Sequence, residues 1–402
     1  MRIILLSILL SLTLTASAGN HALSQKQFKK DIATVKSNLK GDKDLEKSEA
    51  TLRKYLSDSL YAKDKGIHLL LTECLRKQYA VGNEKMYLKE KVDTATIVHT
   101  NIRLFLAMEA LDSVDAMPDA KGNMAPSYRK KHAEILLPLW GNLLKGGIFF
   151  FAHSKWQDAW SCFDTYLECH KQPLFKDEKL DSTQYSFASF LAVMSAYNRK
   201  EFHEAMKYAD AAITYMPRRE MILQKLADMC AENKDTTHYL RFLETGNKEY
   251  LHSGYFFPNI IDYYCEINDY DKALTYANDA IRHDSLNVTF LSARHNVLMM
   301  LQRYDEALVD GITLLHINDS LPIPNYNVAC IYYEKAQEAM KQSGKSLKQR
   351  TKDAQNYYRQ CLPYMEQYRK LMPKDITLWR PVLYDVYLNL NMGREFESLP
   401  KE

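Results

Sequence analysis

Lys200-Glu201-Phe202-His203-Glu204-Ala205, Asp269-Tyr270-Asp271-Lys272-Ala273 and Arg303-Tyr304-Asp305-Glu306-Ala307 share one pattern. An aromatic ring stands three positions before an alanine, with acidic residues between or beside them. The alanines are 68 and then 34 residues apart, and Phe202, Tyr270 and Tyr304 keep the same offsets. Since 68 is twice 34, a degenerate copy is expected between the first two. Leu223, Leu226, Ala227 and Cys230, followed by Tyr239 and Leu243, fill that place. Another copy, Trp156-Gln157-Asp158-Ala159, lies 46 residues before Ala205, one period plus a twelve-residue insertion that a longer loop over 173–183 accommodates.

Each copy reads as helix. Ala205, Tyr208, Ala209, Ala212 and Ile213 follow the i, i+3, i+4, i+7, i+8 stripe of an amphipathic helix, and Ala273, Tyr276, Ala277, Ala280 and Ile281 repeat it. Only 13 glycines and 12 prolines in 402 residues agree with long helices and argue against a many-stranded fold.

A 34-residue period with this pattern resembles the tetratricopeptide repeat. The resemblance covers residues 140–320 and 354–399. It implies an all-α, right-handed solenoid of antiparallel helix hairpins, each burying its faces against its neighbours. Ala159, Ala205, Ala273 and Ala307 match the family's small position on the second helix. Gly147 matches the small position on the first helix, and Pro217 and Pro373 match the terminating proline. Val193, Ile261 and His295 depart from the first-helix pattern. With the stretch Tyr87 to Asn101, the chain is similar to exported tetratricopeptide proteins of Bacteroidetes, which implies an envelope location.

The expected organisation has four parts. Residues 1–18 read as a signal peptide: Arg2, an apolar stretch from Ile3 to Leu14, then Ala16-Ser17-Ala18. Residues 19–135 read as divergent N-terminal helical hairpins, with a linker at Asp119 to Ser127. Residues 136–320 hold the repeats, and their apolar window Leu136 to Ala152 reads as a buried helix because Pro138, Asn142 and Lys145 interrupt it. Residues 321–402 hold a hairpin lengthened by an insertion at Gln337 to Asp353, turning near Ser343-Gly344, and then capping helices.

Charge and motifs exclude several activities. There are 53 basic and 50 acidic residues, a net +3, which removes the global electrostatic case for nucleic acid. No HExxH, GxSxG, Walker A, dinucleotide fingerprint or calcium-loop motif occurs. Seven cysteines without CxxC spacing read as small buried helix residues. The expectation is therefore no catalytic residue, metal or cofactor, and no integral membrane anchor after leader cleavage.

What remains is surface. First helices of this family line a concave groove, which maps here onto Phe190, Met194, Tyr197 and Asn198, then Asp228 and Glu232, then Asp262 and Glu266, then Asn296, Met299 and Met300. Asp228 and Asp262 are 34 apart, as are Glu232 and Glu266, so an acidic strip suited to a basic or extended protein or peptide partner is expected. The second surface is the lengthened hairpin, where Lys335, Lys341, Lys345, Lys348, Arg350 and Lys352 face Glu338 alone. It fits anionic lipid headgroups, polysaccharide or an acidic protein. The 27 tyrosines also admit a glycan-binding reading, although Tyr208, Tyr276, Phe202, Tyr270 and Tyr304 stand at repeat-packing positions.

Overall fold

The computed structural model describes residues 25–118, 122, 124–179 and 181–400. The leader expected at 1–18 lies outside them, as do residues 119–121 and 123 of the expected linker. The described residues form eighteen α-helices and no strand. They fall into two units, one through Pro217 and one from Arg218 onward.

In the first unit the divergent hairpins are α1 (Gln25–Lys40), α2 (Leu45–Leu56), α3 (Lys65–Tyr87) and α4 (Thr94–Asp115). The recognisable ones pair α5 (Arg129–Ala152) with α6 (Trp156–Cys169) and α7 (Ser182–Arg199) with α8 (Phe202–Ala212). The second unit continues with α9 (Arg219–Glu232), α10 (Thr236–Glu249), α11 (Phe256–Glu266), α12 (Tyr270–His283), α13 (Val288–Met300) and α14 (Tyr304–Ile317). It ends with α15 (Pro322–Lys341), α16 (Leu347–Leu371), α17 (Ile376–Asn389) and α18 (Gly393–Glu397). The boundary expected at 135/136 falls inside α5, and the border at Pro217 falls inside the expected 136–320 block.

The period is written into the backbone. Ser154, Lys200, Lys234, Asn268 and Gln302 adopt left-handed φ values of 57–59° and end the first helix of successive hairpins. Their intervals are 46, 34, 34 and 34 residues, those found between the repeat motifs. A left-handed residue there closes the helix and turns the chain back within three or four positions. Asp235 and Asp269 then cap the following helix, their carboxylates accepting from the His238 and Lys272 backbone N–H groups.

Small residues let the helices of a pair approach. Ala159, Ala205, Ala273 and Ala307 are fully buried. A Cβ added to Gly147 would overlap the ring of Phe163, and one added to Gly246 would overlap Phe256. At Gly311 it would stand 2.6 Å from Val328 Cγ2. His295, at a position where the family carries a small residue, is also fully buried. It bonds through Nδ1 to the Ala307 carbonyl at 2.8 Å and through Nε2 to the Asn327 amide at 3.0 Å. Burial lowers its pKa, so it sits neutral, donating to the first partner and accepting from the second.

Two expectations need correction. The 173–183 segment is not a plain loop: it folds into a 3-10 turn over Pro173–Phe175. Phe175 is buried there, 5.1 Å from the Trp140 ring and 6.0 Å from Phe105, because an apolar pair in a long connection gains by covering a core. Only about a third of the apolar window near 136–152 is buried. Helix α5 is the described helix long and apolar enough to cross a membrane. It packs Leu136, Leu143 and Phe150 inward against α4 and α6, while Ile148 is 40% exposed.

One charged cluster joins α4, α6 and α8. The Tyr208 hydroxyl donates to Asp164 at 2.6 Å and Glu168 at 3.1 Å, and Lys207 pairs with Asp164. Glu109 on α4 meets this cluster through the Cys169 thiol, which donates to it at 3.9 Å. Burial, joined by repulsion from Glu168 and Asp164, pushes the Glu109 carboxyl up to about 7. Its stabilising contribution is therefore fullest below the unfolded carboxyl value near 4.5 and disappears as pH rises through about 7.

Two measurements follow. Gly141 on α5 faces open space and Gly147 does not, so alanine should act with opposite sign at the two positions. In urea titrations Gly141→Ala stabilises by up to about 1 kcal/mol, whereas Gly147→Ala destabilises by about 1–3 kcal/mol. Glu109→Gln should raise stability at pH 8 by roughly 2–3 kcal/mol, with the gain fading towards pH 4.5.

Candidate functional site

A cleft of about 370 Å³ opens in the second unit between the end of α9, the start of α10 and the outer side of α11. Thr236, Tyr239, Asn259, Asp262, Tyr263 and Glu266 line it, with Lys234 at the turn. Its origin is a break in the repeat. Thirty-four residues before Tyr270 stands Thr236, and thirty-four before Ala273 stands Tyr239. The aromatic and the small residue of the motif have exchanged places in this one hairpin. The missing ring leaves space beside Thr236, and the added ring at Tyr239 forms a wall of it. Ala227 on α9 is fully buried.

Two carboxylates outnumber the one lysine, Lys234, in the lining of the cleft. Asp262 and Glu266, one helical turn apart on α11, are exposed and make no hydrogen bond or ion pair among the described residues. Burial, with the charges of Glu266, Asp262 and Asp228, raises the Tyr239 phenol pKa, which places those carboxylates around its hydroxyl. The Tyr239 hydroxyl donates to Asn259 Oδ1 at 3.5 Å, and the Tyr239 and Tyr263 rings stand 6.1 Å apart at 64°. Two carboxylates beside two electron-rich ring faces form a receptor for a cation on a flexible stem, such as a lysine or arginine side chain.

The structure sorts the sequence-selected groove residues. Asp262 and Glu266 line the cleft, while Asp228 is half-buried, accepting from the Tyr255 hydroxyl at 2.5 Å with Lys225 at 3.6 Å. It ties α9 to the start of α11, because a half-buried carboxylate needs donors. Glu232 is exposed at the end of α9, outside the lining, and Asn296 and Met300 are exposed on α13. Phe190 is a packing residue, 8% exposed and tilted against Tyr215 at 5.3 Å. Met194 and Tyr197 are half-buried on α7, and exposed Asn198 donates to the Met194 carbonyl at 2.7 Å. These four belong to the first unit.

The basic hairpin is likewise divided. The Lys335 ammonium pairs with Asp305 at 2.5 Å, Lys345 pairs with Asp353 at 2.8 Å, and Arg350 donates to the Met340 carbonyl at 3.1 Å. Lys341, Lys348 and Lys352 are exposed and carry no such bond among the described residues. Tyrosines at repeat positions are spent on packing and on neighbouring carboxylates: Tyr208 as above, and Tyr276 on Glu244 at 2.7 Å.

Nucleophilic thiol chemistry has no support. All seven cysteines are free, five of them buried. Burial raises each thiol, Cys74 and Cys330 to about 11 and Cys162 and Cys230 to about 12, opposite to activation. His170 is turned to its own helix, with Nδ1 2.5 Å from the Leu167 carbonyl, away from the neighbouring Cys169 thiol. Among the described residues no three His, Cys, Asp or Glu side chains converge as metal ligands.

No family model and no curated protein matches the sequence. Among solved structures the chain is similar to the C-terminal part of a TPR repeat-containing protein from Cytophaga hutchinsonii, at 10% identity over 64% of this chain and 100% of that one, with a TM-score of 0.36. It is also similar to a TPR repeats protein from Bacteroides fragilis, at 13% identity over 62% and 98%, TM-score 0.30. Yeast Tom70 matches at 13% identity over 92% and 84%, TM-score 0.31. Paired antiparallel helices, buried small residues at the motif alanines and left-handed turns at intervals of 46, 34, 34 and 34 residues give this chain a tetratricopeptide-like fold of stacked helix hairpins.

Proposed function

We propose that the protein is a non-catalytic interaction scaffold of the cell envelope that holds a basic, extended polypeptide partner. The partner places a lysine or arginine side chain in the cleft between Asp262, Glu266, Tyr239 and Tyr263. The observation that carries this reading is the exchange of Thr236 and Tyr239 relative to the other hairpins. Both residues line the recess, which also holds two carboxylates without a hydrogen bond or ion pair among the described residues. The leader-like start of the sequence supports the envelope location.

Magnitudes set what the cleft does alone. Each solvent-exposed carboxylate contributes about 0.2–1 kcal/mol to an ion pair, and a cation over a tyrosine face adds roughly 0.5–1 kcal/mol. One side chain therefore supplies specificity, and the remaining affinity comes from extended contact along neighbouring helices.

The test is selection of peptides from a random display library against the full chain, followed by titration of those selected. Bound peptides should carry a Lys or Arg, and Asp262→Asn with Glu266→Gln should weaken them roughly 2- to 30-fold. Added salt should weaken them as well. Peptides lacking basic residues, or an affinity indifferent to both substitutions, contradict the reading.

A further inference from the structure

The hairpin of α15 and α16 is longer than its neighbours, at 20 and 25 residues beside 14 in both α14 and α17. Internal bonds show where the neighbours stop. Lys335 pairs with Asp305, the second residue of α14, and Gln355 donates to the carbonyl of Asn389, the last residue of α17. Residues 336–354 therefore extend past both, by about 10 Å at 1.5 Å per residue. This tip is held by its own two helices. Ala336, Ala339 and Ala354 are buried between them, the Gln337 amide donates to the Tyr358 hydroxyl at 2.8 Å, and Arg350 donates to the Met340 carbonyl.

The projecting end is exposed at every residue from Lys341 to Gln349. It contains Lys341, Lys345 and Lys348, with Lys352 one turn further along α16 and no acidic residue between 341 and 352. Only Lys345 is neutralised, by Asp353. Leu347 stands among these cations as the first residue of α16, 63% exposed. Solubility explains lysines at a tip, but a bare leucine at the same place works against solubility. Cations surrounding an exposed apolar side chain are the arrangement that meets headgroup phosphates while inserting into the acyl boundary.

We propose that the 341–352 tip docks the protein peripherally on an anionic phospholipid surface, Lys341, Lys348 and Lys352 meeting headgroup phosphates and Leu347 entering the interface. The contact is separate from the α9–α11 cleft and does not depend on it.

The experiment is flotation of the full chain with vesicles containing phosphatidylglycerol, compared with purely zwitterionic phosphatidylcholine vesicles. Partition to the anionic vesicles should fall as salt rises. Each Lys→Gln change should weaken it roughly fivefold, and the Lys341→Gln, Lys348→Gln, Lys352→Gln triple variant roughly 100-fold. Leu347→Ser should weaken it about tenfold even at high salt. Unchanged thermal unfolding of these exposed-site variants keeps the comparison clean, and Asp262→Asn with Glu266→Gln should bind vesicles like the wild type. Absence of partition, equal partition to zwitterionic vesicles, or a triple variant that binds undiminished overturns the proposal. Retention on dextran sulfate without vesicle partition also overturns it and assigns the tip to a soluble polyanion.

Discussion

The contact on which the rest depends is the close approach of helix to helix at residues with little or no side chain. At Gly147, Gly246 and Gly311 a neighbouring side chain occupies the volume a Cβ would take. The motif alanines are fully buried. A hairpin of two short helices is marginal alone in water. Bringing the helices together removes apolar faces from solvent, at about 25 cal/mol for each Å², and stacking the hairpins buries the outer faces in turn. The left-handed turn residue delivers the second helix at the right height, so the two features share one period.

Once the period is enforced by packing, a departure from it has a local meaning. His295 replaces a small residue and remains compatible with the core because both ring nitrogens find partners, Ala307 O and Asn327. Thr236 and Tyr239 are a different kind of departure. They line a recess at the surface that is also bordered by carboxylates without a hydrogen bond or ion pair among the described residues. A fold made by repetition thus marks its own exceptional place. The lengthened hairpin is a second exception, its helices running on after their neighbours have ended.

Much of the fold was legible because helix-pair packing is local and periodic. The stripe from Ala205 to Ile213 and its copy from Ala273 to Ile281 show which faces are buried, and the long hairpin with its turn near Ser343-Gly344 follows from an overlong spacing to Pro373. The candidate site was less legible. The 34-residue spacing picked out Asp262 and Glu266, yet it picked out Asp228 equally, and only the Tyr255 hydroxyl distinguishes a structural carboxylate from a free one. Phe190 illustrates the same difficulty, because a groove position and a core position differ by a small rotation of the helix. Thr236 and Tyr239 could have been found by asking what replaces the aromatic and the alanine in the worn copy. Phe175 could not, since its burial depends on Phe105 and Trp140, which are distant in the chain.

The most direct test of the packing account is a double-mutant cycle between Gly246 on α10 and Phe256 on α11, read by urea unfolding. If the ring occupies the space a methyl group would need, Gly246→Ala is costly beside Phe256 and much less so beside Phe256→Leu. The coupling free energy should then be about 1 kcal/mol or more. Strictly additive effects at these two positions would contradict the account, because the helices would then not be held together by the contact on which the array is built.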